Sequence, residues 1–232
     1  MIDLDFSNIG QSVMTLIMRL VIVLLALTVH ETAHGYAALK LGDDTAEKRG
    51  RLSLNPIYHI DPIGFLCMVI FGFGWARPVP INAGRFKNPK RGMAISALAG
   101  PVSNLLLAFI GLLLYLIVYT VAIFNIGWME KDFAFNLYKV TAEFLFMFHY
   151  MNISLAIFNF LPEPPLDGSR VLWAVLPEKI YFGVMKYERY ISMAIMLLLL
   201  FGLLDKPLTM AAQAVSGGSL FPERLYTPRF SS

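Results

Sequence analysis

Four stretches of the chain are apolar enough to cross a bilayer, which takes about 20 consecutive residues. They cover residues 11–39, interrupted only by Arg19, then 93–124, 139–176 and 187–204. The third stretch is broken by Pro162, Pro164 and Pro165, residues that remove backbone donors and end or kink a helix. Polar residues gather between the first two stretches: positions 40–92 hold nine of the 19 Lys and Arg residues. Inside that segment lies an apolar, glycine-containing patch at 63–75. Thirteen residues are short for a span, and a crossing there would put basic clusters on both sides, against the positive-inside rule. The patch is therefore expected to dip into the membrane and return, its irregular backbone lining protein or a watery cavity. Residues 48–54 and 79–83 read as edge strands of a small sheet or, equally, as a surface hairpin.

The expected fold is an all-α polytopic membrane protein. It has about four transmembrane helices, a re-entrant segment and a small β-sheet between the first two spans. One domain covers 1–232, with a core at 11–204, a loop at 40–92 and a tail at 205–232. Placing the basic loop in the cytoplasm sets the N-terminus outside and predicts a multi-pass protein of the cell membrane.

Composition agrees. The chain is 57% hydrophobic and 15% charged, with a mean hydropathy of +0.62, against about 45–50% and about 25% for soluble domains. A net charge of +3 is too small to suggest nucleic acid. Cys67 is the single cysteine, which excludes an intrachain disulfide or a thiolate metal cluster. The opening residues carry Asp3 and Asp5 and no basic residue, unlike a signal peptide, so the first apolar stretch is expected to remain as a span. Asn152-Ile153-Ser154 matches a glycosylation acceptor inside an apolar run and is read as chance.

The chemistry sits in the first stretch, where His30, Glu31 and His34 form H-E-x-x-H. On a helix, residues four apart share a face, so two imidazoles can grip one zinc while Glu31 serves the attacking water. Ionisable groups at membrane depth are costly and read as a working site, here toward the cytoplasmic end of the span. Catalytic zinc takes three protein ligands. His59, Asp61, Glu143, His149, Glu163 and Asp167 are candidates for the third. Asp167 is favoured because it follows the proline break, where free backbone groups line a cavity, and because Gly168 permits close approach. The same carboxylate reads equally well as the cap of a following helix. His59 suits a turn-stabilising role, and His149 a satisfied position on a helix face. Gly100-Pro101 suits helix packing, with Asn104 bonding across to a neighbouring span.

HETAH in the first span, RLSLNPIYHIDPIG in the loop, AGPVSN at the second span and NFLPEPPLDG in the third together resemble the site-2 protease family of intramembrane zinc metalloproteases. The similarity covers about residues 20–176. It implies one zinc held by His30, His34 and Asp167, with Glu31 as general base. It also implies that Asn159 handles substrate and stabilises the oxyanion. Asn104, Pro162 and His59 are further positions expected around the ligands or the substrate. The expected partners are the bilayer and single-span membrane proteins, cut within or near their transmembrane segments in regulated intramembrane proteolysis. Neither a PDZ insertion nor a CBS domain is seen, so the resemblance is to the compact branch. Two other classes were weighed. A metal transporter needs charged groups along its pathway, yet no Asp, Glu, Lys, Arg or His lies between Ile95 and Phe124. A non-catalytic relative would have lost Glu31 or a ligand.

Overall fold

The computed structural model describes residues 9–71, 74–124, 132–163 and 166–175, with scattered positions from 177 to 210. Six α-helices are delineated among them: α1 (Ile9–Lys40), α2 (Thr45–Lys48), α3 (Pro62–Phe71), α4 (Pro89–Phe124), α5 (Asp132–Phe160) and α6 (Asp167–Val175). Three of these, α1, α4 and α5, are long and apolar enough to cross a membrane. The apolar stretch expected at 187–204 falls largely outside the described residues, as does the tail beyond 210. Helix α4 begins four residues before the expected start at 93 and α5 seven before 139.

The helices pack along stripes spaced by one turn. On α1 the buried positions Met18, Ile22, Ala26, His30, His34 and Ala38 recur every four residues. The two histidines thus lie in the same row that faces the bundle. On α4 the buried stripe is Met93, Ser96, Ala97, Gly100, Pro101, Asn104, Ala108, Gly111 and Tyr115. Small side chains there let backbones approach closely, which is how helices associate in lipid without a hydrophobic driving force between them. Helix α4 packs on both α1 and α5 and so forms the centre of the bundle. Pro101 cannot donate to the Ala97 carbonyl, which interrupts the α4 ladder beside the site.

Between α1 and α4 the backbone is irregular, and the sheet expected there does not form. The one β pairing among the described residues is an isolated antiparallel bridge, Ile60 to Ala76. Part of the reason is in the sequence: Pro80 removes a donor within the second strand and Pro78 one just before it, while the Asn82 amide is taken by Asp43. The Arg77 amide donates to the His59 carbonyl (2.8 Å), and that of Val79 donates to the Glu31 side chain (2.7 Å). In the other candidate strand, Lys48 ends α2 and Gly50 has φ +62°, a turn conformation. Most of the ten-residue α3 lies in the apolar patch at 63–75. At 1.5 Å per residue this is about 15 Å long, half the bilayer core of about 30 Å. Asp61 opens α3 by accepting from the Ile63 and Gly64 amides.

Candidate metal centre

Because His30 and His34 sit one turn apart on α1, their Nε2 atoms converge, 2.9 Å from each other. The Oδ2 atom of Asp167, the first residue of α6, lies 3.0 Å from His30 Nε2 and 3.2 Å from His34 Nε2. Among the described residues these three form the one cluster of His, Cys, Asp or Glu able to hold an ion. The break between α5 and α6 is tight: a Cβ on Gly168 would stand 2.3 Å from the Phe160 carbonyl oxygen and 2.4 Å from that of Leu161. That glycine lets α6 fold back so that Asp167 reaches α1. With its Oδ2 on the imidazoles, Asp167 is turned to the cluster rather than to capping α6.

The proton positions follow from the outer ring nitrogens. His34 Nδ1 is 2.7 Å from the Ser96 carbonyl oxygen, a group that only accepts. His30 Nδ1 is 2.6 Å from Asn104 Oδ1. Both Nδ1 atoms therefore carry a hydrogen, and in the neutral, ligating form of each ring Nε2 presents a bare lone pair. Two lone pairs and a carboxylate oxygen at such distances repel one another unless a cation lies among them. Ligands about 2.0–2.2 Å from a tetrahedral zinc stand about 3.4 Å apart, so an opening of a few tenths of an ångström accommodates one. The donor set fits zinc.

Gly100 cradles the pair. A Cβ there would stand 2.4 Å from His34 Cε1 and 2.6 Å from His30 Cε1. Packing was the sequence-based expectation for Gly100, and its closeness to the imidazoles was missed. The signal was the four-residue row 96, 100, 104 on α4, all three facing α1. Glu31 is half-buried, and its Oε2 is fixed by the Val79 amide. Arg51 steadies that segment by donating from Nη2 to the Arg77 carbonyl at 2.8 Å.

The remaining candidates make other contacts. Asn159 Nδ2 donates to Leu155 O of its own helix at 3.0 Å. His59 Nε2 donates to the Ser53 carbonyl at 2.7 Å, a loop-stabilising bond. Asp61 caps α3, His149 Nδ1 donates to the Ala108 carbonyl at 2.9 Å, and Pro162 and Glu163 are exposed. Glu143 is half-buried on α5 and outside the cluster.

Residues 18–203 match the model of peptidase family M50. The chain belongs to this family, the site-2 proteases. As an M50 member it is a zinc metalloprotease with apolar helices suited to a membrane. Among its relatives is "Putative zinc metalloprotease YwhC" of Bacillus subtilis, 42% identical over 76% of this chain and 78% of that protein. "Putative zinc metalloprotease MJ0611" of Methanocaldococcus jannaschii is 30% identical over 74% of this chain and 80% of its own. "Putative zinc metalloprotease Rip2" of Mycolicibacterium smegmatis is 27% identical over 64% and 53%. No solved structure matches the chain.

Proposed function

We propose that this M50 protease is an intramembrane endopeptidase that hydrolyses peptide bonds within or near the transmembrane segments of single-span membrane proteins, as a step in regulated intramembrane proteolysis. The observation that carries this reading is the convergence of His30, His34 and Asp167 on one point between apolar helices. His30, His34 and Asp167 are the zinc ligands. When bound, zinc supplies Lewis acidity to the scissile carbonyl and to the attacking water. Glu31, held by the Val79 amide, takes the water's proton and delivers it to the departing amine. Asn159 has a second amide hydrogen beyond the one bonded to Leu155, and it donates to the substrate carbonyl as negative charge develops. Residues 187–204 supply a fourth span, 63–75 dips from the cytoplasmic side, and the site faces the cytoplasm of the cell membrane. The nine basic residues in 40–92 support that orientation.

Glu31→Gln tests the assignment. Purified in detergent, it should bind one zinc per chain and fail to cut a single-span reporter, a loss of at least about 100-fold by the scale of general-base catalysis. Cleavage at the wild-type rate would remove Glu31 from the mechanism.

A further inference from the structure

The Asn104 contact to His30 continues into a buried chain of side chains whose far member, Asn152, has had no role so far. Asn152 Nδ2 donates to the Phe148 carbonyl at 2.8 Å, Asn104 Nδ2 donates to Asn152 Oδ1 at 3.0 Å, and Asn104 Oδ1 faces His30 Nδ1 at 2.6 Å. Asn104 and Asn152 are fully buried, and His30 is 5% exposed. In the sequence, Asn152 stands out only as a chance match to a glycosylation acceptor.

We infer that Asn152, acting through Asn104, sets the tautomer of His30 and so keeps its Nε2 lone pair directed at the zinc. The inference rests on the zinc site proposed above. A carboxamide has a donor end and an acceptor end, and the chain leaves one consistent arrangement. The Phe148 carbonyl only accepts, so Asn152 must turn its nitrogen there and its oxygen to Asn104. Asn104 must then offer its nitrogen to Asn152 and its oxygen to His30. An oxygen acceptor fixes the hydrogen on Nδ1, and a neutral imidazole then has a bare Nε2. Ligating histidines are commonly oriented in this way by the group on their other nitrogen. The two ligands differ in how this is achieved. His34 is set by the Ser96 main chain, which a side-chain change leaves in place, whereas His30 depends on two side chains from two other helices. Asn152 is thereby a positioning residue through which α5 acts on a ligand of α1.

A simple interhelical bond would account for the distances but not for the polarity of the chain, and the test separates the two. Zinc affinity of the full-length protein in detergent, measured by competition with a chelator, should fall about 10- to 100-fold in Asn152→Leu, where Asn104 is free to present its nitrogen to His30. Adding Asn104→Asp to Asn152→Leu should restore affinity to within a few-fold of wild type, since a carboxylate accepts at either oxygen. A structural role predicts no rescue. Nitrogen-15 histidine NMR of the metal-free wild-type protein, with only four histidines, should show His30 protonated at Nδ1. That measurement stands even if Asn152→Leu fails to fold. Unchanged affinity in Asn152→Leu, absent rescue, or His30 protonated at Nε2 would each overturn the inference. His34→Ala run in parallel distinguishes the failures. Zinc retained at wild-type affinity there would sink the ligand assignment itself, whereas its loss alongside a normal Asn152→Leu would sink only the relay.

Discussion

Polar side chains in the helical bundle and in the loop between α1 and α4 solve the same problem in opposite ways. In the loop, asparagine side chains bond to backbone two or three residues away. Asn55 accepts from the Ile57 amide, Asn82 from Gly84 and Asn88 from Arg91. Around the metal centre in the bundle they reach across helices: His34 to Ser96, Asn104 to Asn152, and Asp167 to both histidines. A local turn bond is worth about 1 kcal/mol, and water can replace it. A buried partner lost between helices leaves a polar group stranded where no water can substitute, at about 1–3 kcal/mol or more when charged. Damage should therefore be severe in the bundle and mild in the loop. Contacts that tie the bundle to the loop include the Val79 amide on Glu31 and the Thr32 hydroxyl, which donates to the Ser53 carbonyl; within the loop, the Asn82 amide donates to Asp43.

The largest effect should come from Gly100→Val. Its side chain would occupy the space of both imidazole rings, and a displacement of about 1 Å at a reacting centre costs about 100-fold in rate. Zinc content and cleavage should both collapse. Gly84→Ala in the loop, whose Cβ would meet Asn82 Oδ1 at 3.3 Å, should leave zinc content unchanged. If both glycines respond alike, the contrast between the regions is broken.

A smaller effect is expected at the first link. Val79→Pro removes the amide that Glu31 accepts. Hydrogen bonds to charged groups are worth about 1.5–3 kcal/mol, so kcat should drop roughly 10- to 100-fold while zinc stays bound. Loss of zinc instead would mean that the loop supports the ligands and not the base.

The smallest effect is expected within the loop, at the contact of Asn82 with Asp43. Burial pushes the Asp43 carboxyl up, but the Thr45 hydroxyl, the Asn82 and Thr45 amides and the Arg85 guanidinium outweigh it and hold the pKa below the usual carboxylate value. Stability from a carboxylate depressed in the folded state is present above its unfolded pKa of about 3.9 and is lost as pH falls through the folded value. Thermal unfolding should be flat from about pH 7 to pH 5 and weaken below about pH 4. Asp43→Asn should lower stability by about 1 kcal/mol at neutral pH and flatten that acid slope. An unaltered slope would show that Asp43 contributes little.

The same contrast governs what the sequence disclosed. H-E-x-x-H was legible because its geometry is local: four residues on a helix place His30 and His34 together whatever surrounds them. Asp167 was legible as a candidate from the proline break, and the family motif raised it above the cap reading. Gly100 and Asn152 were not legible in their roles, because those depend on how closely α4 approaches α1 and α5, which no short window encodes. The strands expected at 48–54 and 79–83 failed in part for a readable reason that was underweighted, Pro80 within the second strand and Pro78 just before it. The helical character of the chain was clear throughout, since in lipid the backbone must satisfy itself within each segment.

X-ray absorption at the zinc edge tests the central claim most directly, on wild-type protein and on Asp167→Ala. Two imidazole nitrogens and a carboxylate oxygen at about 2.0–2.2 Å should make up the protein shell of the wild type, and Asp167→Ala should lose the oxygen or the zinc. A shell without imidazole, or one unchanged by Asp167→Ala, would contradict the account.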